Sequence, residues 1–121
     1  MAFNFLKNLF SGGDTVDNLV ETDGPQYANL SGAAFRKALK ESKKAVLLDV
    51  RTPAEFAQGA IPGAKNIDFL SPSFAGKIKN LDKDVTYFLY CRSGARSAQA
   101  GKQMNKLGFD VRNLSGGIGA F

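Results

Sequence analysis

The chain has 121 residues, 44% hydrophobic and 22% charged, proportions that fit one globular domain with a real core; no apolar run reaches the length of a membrane span. One cysteine and no histidine exclude an internal disulfide and a zinc site of the usual nitrogen–sulfur kind within one chain. The net charge of +5 is uneven: residues 1–25 carry one lysine against four carboxylates, net −3, and the remainder fifteen Lys/Arg against seven Asp/Glu, net +8. A basic domain points to an anionic partner or to general solubility. Nucleic acid is not expected, because the lysines are scattered and no RNA-binding aromatic motif or zinc finger is present. No calcium-loop spacing appears, so neither a metal nor a cofactor is expected.

MAFNFLKNLF places Phe3, Leu6 and Phe10, with Phe5 and Leu9, at helical spacing. It reads as a short amphipathic segment, a partner-contact helix or a frayed end. It has too few basic residues for a lipid anchor, and no cleavage site for a signal peptide. Ser11 to Gly24 reads as an acidic linker. The expected division is thus an N-terminal segment and linker over 1–25 and a domain over 26–121. Within the domain, SGAAFRKALKES predicts a helix capped by Ser31, with Ala34, Phe35, Ala38 and Leu39 on its apolar face. AVLLDV is a nearly unbroken apolar run, as in a strand buried on both faces. Thr52, Pro53 and Glu55 form a capping box that opens the next helix. IPGAKNI reads as a turn and a short strand. SPSFAGKIKNL repeats a Ser-Pro helix start at Ser71 and Pro72. VTYFLY is a second buried strand. RSAQAGKQMNKLG is a helix with Ala98, Gly101, Met104 and Leu107 on its apolar face and Gly108 as terminator. FDVRNL is a last short strand, and Gly116 and Gly117 form a turn before a final helical stub. There is no internal repeat. Strands alternating with helices mean an α/β domain on a mostly parallel sheet, whose ligand crevice lies outside the carboxyl ends of the strands.

Two strand ends carry chemistry: Asp49-Val50-Arg51 and Tyr90-Cys91-Arg92. Cys91 opens the stretch YCRSGARS, between a strand and a helix. Gly94 can take a positive φ, which lets successive N–H groups point into one concavity. The helix N-terminus behind it and the guanidinium groups of Arg92 and Arg96 add positive charge. All three effects favour thiolate. A free cysteine titrates near about 8.5, and such surroundings bring it to about 3.5–7.5. The loop can then replace the histidine base that most cysteine nucleophiles need. The plainer alternative is a buried, inert thiol.

The stretch resembles the active-site loop of rhodaneses, the thiosulfate-type sulfurtransferases. LLDVRTPAEFAQGAIPGAKNI and LSGGIGAF are similar to two further segments of that family, so the resemblance runs from Tyr27 to Phe121. It implies a rhodanese-like, mostly parallel five-stranded sheet flanked by helices on both faces. It also implies a small anionic sulfur donor such as thiosulfate, and a cyanide or thiol acceptor, or a protein that receives the sulfur. Cys91 would be the nucleophile that carries the sulfur as a persulfide. Arg92, Ser93, Gly94, Ala95, Arg96 and Ser97 would form the substrate cradle, the two arginines steering the donor and Ser97 helping to open the helix. Asp49 and Arg51 would either shape the rim or serve structure, with Arg51 pairing to Glu55 and Asp49 accepting backbone N–H bonds. Two residues depart from the family pattern: Ala60 stands where a histidine is usual, and Phe121 where the closing aromatic is often tryptophan. Phe69 and Phe74 are expected as core or pocket wall.

Two alternatives remain at this point. One is a rhodanese-like module that binds a partner or relays sulfur. The other is a cysteine phosphatase or arsenate reductase. Those enzymes place an arginine six positions after the cysteine, whereas here Arg96 is fifth and Ser97 sixth. A reduced thiol and the lack of a targeting signal suggest the cytoplasm.

Overall fold

The computed structural model describes residues 24–121. The expected amphipathic segment, and the acidic linker up to Asp23, lie outside the described residues. Five strands, β1 (Tyr27–Leu30), β2 (Ala45–Asp49), β3 (Lys65–Asn66), β4 (Thr86–Tyr90) and β5 (Asp110–Leu114), form one sheet in the order β1-β5-β4-β2-β3. Every pairing among them is parallel. The helices are α1 (Gly32–Glu41), α2 (Pro53–Ala57), α3 (Phe74–Lys79) and α4 (Ala95–Lys106), with a 3-10 turn at Ile118–Ala120. None is long and apolar enough to cross a membrane.

The central strand explains its own apolar run. Side chains alternate across a strand, so Tyr87, Leu89 and Cys91 enter one core while Phe88 and Tyr90 enter the other. The first core is closed by Phe74 and Ile78 of α3 and by Ala100 and Met104 of α4. The second is closed by Phe35 of α1, with Ile118, Ala120 and Phe121 packed against it. Phe35 is fully buried and meets Phe88 and Phe121 edge to face, at centroid distances of 5.3 and 6.1 Å. Burial of such a ring stabilises the fold by about 1.5–3 kcal/mol. Phe121 therefore serves as a packing aromatic, and its carbonyl accepts from the Arg36 guanidinium.

Several expectations shift by a residue or a face. β1 went unread: YANL is short, lies at the sheet edge and is only half buried, so it shows no apolar run. Ser31 caps α1 as expected, its hydroxyl accepting from the Ala34 N–H at 3.2 Å, but Ala34 itself is exposed. α3 starts at Phe74 rather than after Ser71. Ser71 instead closes the preceding turn, accepting from the N–H groups of Ser73 and Phe74. The buried face of α4 is Ser97, Ala100, Gly101 and Met104, rotated from the expected stripe, and Leu107 is exposed. The rotation brings Gly101 against β1 and β5: a Cβ there would lie 2.8 Å from the Tyr27 ring and 2.9 Å from Val111.

The register places the site. Asp49 at the end of β2 is level with Tyr90 at the end of β4, and Leu89 is level with Asn113 of β5. The segments leaving β2, β4 and β5 thus emerge side by side at the carboxyl edge of the sheet.

Candidate active site

Cys91 is the first residue beyond β4 and is fully buried. The chain then turns through Gly94, at φ +102, into α4. This turn aims donors back at the sulfur. Sγ accepts from the Gly94 N–H at 3.1 Å, the Ser97 N–H at 3.4 Å and the Ser97 hydroxyl at 3.3 Å. Burial pushes the thiol pKa up. The bonds from the Ser97 hydroxyl and from the Ser97, Gly94 and Ser93 N–H groups outweigh it, so the net shift is downward.

The loop is braced from behind. The Cys91 carbonyl accepts from the Ile118 N–H at 2.8 Å. A Cβ on Gly117, whose φ is +77, would lie 2.0 Å from the Arg92 carbonyl oxygen. The Gly116-Gly117 turn is thus a support for the Cys91 loop, and close backbone approach is why glycine stands there. Asn113 in β5 is buried below, its amide donating to Asn29 Oδ1 at 2.9 Å and reaching the Gly94 carbonyl at 3.5 Å.

Two of the three arginines at these strand ends are held by carboxylates. Arg96, in the first turn of α4, makes an end-on pair with Glu55 of α2, at 2.8 and 3.0 Å. Glu55 also accepts from the N–H and the hydroxyl of Thr52, each at 3.1 Å, completing the expected capping box. The hydrogen bonds from Arg96, followed by that from the Thr52 N–H, hold the Glu55 carboxyl down to about 2. Arg92 is exposed. Arg51 does not pair with Glu55. Its guanidinium turns onto Asp49, with Nη2 to Oδ2 at 2.6 Å, and also donates to the Gly59 carbonyl at 2.7 Å. Asp49 accepts the Arg51 N–H at 2.9 Å, as expected of it. Asp49 is fully buried, and the Arg51 guanidinium lies 5.6 Å from the centre of the Tyr90 ring, whose hydroxyl accepts from the Ile61 N–H.

The rhodanese-like domain pattern matches residues 33–121, nearly three-quarters of the sequence. The chain belongs to the rhodanese-like family. It is 38% identical over 91 residues to a sulfurtransferase of Allochromatium vinosum, covering 74% of this chain and 82% of that one. It is 36% identical over 81 residues to the thiosulfate sulfurtransferase GlpE of Pseudomonas putida, covering 66% of this chain and 72% of that one. Among solved structures it is similar to a rhodanese-like domain protein from Staphylococcus aureus, with a TM-score of 0.67 and 31% identity over 77% of this chain and 89% of that one.

In this rhodanese-like chain Cys91 to Gly94 form the turn after β4, and Ala95, Arg96 and Ser97 are the first turn of α4. Asp49 and Arg51 form a separate pair: Arg51 ties the end of β2 to the Gly59 carbonyl, next to Ala60. Ser97 is the third residue of α4, after Gly94 at the cap position, and its hydroxyl reaches both the sulfur, at 3.3 Å, and the Gly94 carbonyl, at 3.2 Å. Phe74 is core and Phe69 packs against it edge to face at 5.2 Å. Two contributors went unread. From sequence Glu55 has only local roles, the capping box and a pair with Arg51, and Asn113 sits in a strand whose pattern says nothing of the loop above it. Local spacing rules act over three or four residues and do not reach from Glu55 to Arg96, which lie 41 residues apart.

Proposed function

We propose that the chain is a sulfurtransferase that moves a sulfane sulfur from an anionic donor such as thiosulfate to cyanide or a thiol, through a persulfide on Cys91. The observation that carries this reading is the convergence of three donors on Cys91 Sγ in a chain without histidine. The thiolate attacks the outer sulfur of thiosulfate. An S–S bond forms, the bond to the sulfonate sulfur breaks, and sulfite leaves with the electron pair. Cyanide or a thiolate then attacks the terminal sulfur, and Cys91 departs as thiolate again. No external oxidant or reductant enters the cycle, and no proton has to be drawn from Cys91 by a base once the loop holds it as thiolate. The likeness to relatives named as sulfurtransferases supports the class of reaction. Phosphatase chemistry is disfavoured by the loop length and by Arg96, whose guanidinium is engaged by Glu55.

The test is thiocyanate production from thiosulfate and cyanide by the full chain. Turnover is expected from the wild type and not from Cys91→Ser. Equal rates for the two proteins would overturn the proposal.

A further inference from the structure

We propose that Glu55 is a positioning residue that sets the anion affinity of the Cys91 loop by holding and neutralising the Arg96 guanidinium. The proposal rests on the sulfurtransferase reading for its meaning, but its measurement does not depend on turnover.

The geometry is specific. Arg96 lies between the two halves of the cradle, two residues after Gly94 and one before Ser97, both of which donate to Sγ. Its guanidinium turns toward α2 and meets both oxygens of Glu55, with each side chain about a quarter exposed. Glu55 is in turn fixed by two bonds from Thr52. The pair therefore joins the segment after β2 to the first turn of α4, and it carries no net charge beside the loop. Arg96 feels Glu55 first, and also the charges of Cys91 and Asp68, so all of these groups belong to one electrostatic neighbourhood. Arg92, the other cation of the loop, is exposed to solvent.

A neutral pair has a chemical consequence. Thiosulfate and the sulfite it leaves behind are both anions. A free guanidinium next to the sulfur would bind donor, leaving group and unreactive oxyanions such as sulfate alike. With Glu55 in place, the backbone N–H groups and Arg92 handle the donor, and oxyanions are not retained. Removing the Glu55 charge leaves +1 beside the loop; removing the Arg96 charge leaves −1; removing both restores neutrality.

The experiment uses the full chain as Glu55→Gln, Arg96→Gln and the double variant, each first checked for folding by near-UV circular dichroism. Two quantities are read: the pH dependence of Cys91 alkylation by iodoacetamide, and its protection by sulfate. Glu55→Gln, which keeps an oxygen for Thr52, is expected to lower the alkylation pKa and the half-protecting sulfate concentration by about threefold or more each on a concentration scale. Arg96→Gln is expected to move both the opposite way, and the double variant to return close to wild type, the signature of a coupled pair. A purely structural role would shift both single variants in one direction and leave the double worst of all; that result, or no shift in either single variant, overturns the proposal. Should Glu55→Gln not fold, Arg96→Gln against the double variant decides the same question. In parallel thiosulfate assays, Glu55→Gln is expected to lower KM without raising kcat. An absence of thiocyanate from every protein would count against the sulfurtransferase reading alone, since the alkylation measurements still stand.

Discussion

The Ser97 hydroxyl lies 3.3 Å from the Cys91 sulfur and 3.2 Å from the Gly94 carbonyl oxygen. It has one proton and so donates to one of them at a time. When Cys91 is a thiolate, the hydroxyl best donates to the sulfur. When Cys91 is a thiol, it can return to the carbonyl. The side chain thus favours ionisation without becoming charged itself. Ser97→Ala removes this donor and leaves the backbone N–H bonds. The expected result is a rise of about one pKa unit or more in the alkylation profile, since a hydrogen bond to a charged group is worth about 1.5–3 kcal/mol. An unchanged profile would show that the backbone alone holds the thiolate.

The Glu55 carboxyl also makes the fold sensitive to acid. Its pKa falls from 4.5 to about 2 in the folded chain, chiefly through Arg96. Between those values the unfolded state binds more protons than the folded one, so stability declines as the pH falls. The contribution is complete above about 4.5 and lost on the way to about 2. Urea midpoints measured at pH 5 and pH 3 are expected to differ more for the wild type than for Glu55→Gln. Equal differences would mean that other carboxylates carry the acid response.

The Gly117 contact with the loop gives a third test. A methyl group there would sit 2.0 Å from the Arg92 carbonyl oxygen and 2.6 Å from the Ser93 nitrogen, at a backbone φ of +77. Both are backbone atoms, so the loop itself must move. Gly117→Ala is expected to cost about 2 kcal/mol or more in stability and to raise the alkylation pKa of Cys91, because displaced N–H groups no longer converge on the sulfur. Gly76, where a Cβ meets nothing within 4 Å, is the control: Gly76→Ala should leave the pKa in place. Thermal melts and alkylation profiles of the two variants check this.

Much of the site is local in sequence, and that part was readable. A β-rich run, one cysteine, a glycine turn and a helix start lie within a dozen residues, and a thiol held by N–H groups needs little else. The capping box of α2, the Ser31 cap of α1 and the Gly108 terminator of α4 were readable for the same reason, since caps act over three or four residues. What escaped depends on contacts between distant segments. β1 is defined by its pairing with β5, Glu55 by an arginine 41 residues away, and the buried face of α4 by how the helix sits on Tyr27 and Val111. Arg51 shows the limit most directly. Helical spacing suggested Glu55 as its partner, but Asp49, two residues back at the end of a strand, has its side chain on the same side and is fully buried. A buried carboxylate demands a cation more strongly than one a quarter exposed, as Glu55 is.

That demand separates structure from chemistry at the second strand end. Asp49 accepts from Arg51 Nε, Nη2 and N–H, and Arg51 reaches across to the Gly59 carbonyl. Neither side chain bonds to Cys91 or its loop. Asp49→Ala leaves a buried guanidinium without its carboxylate, a loss of about 3–5 kcal/mol in stability. The alkylation pKa of the molecules that remain folded is expected to stay at the wild-type value. Asp49→Asn should cost less, because one oxygen still accepts from the Arg51 N–H. Urea denaturation gives the stability, and alkylation below the unfolding transition gives the pKa. A shifted pKa in folded Asp49→Ala would move Asp49 and Arg51 from the framework into the site.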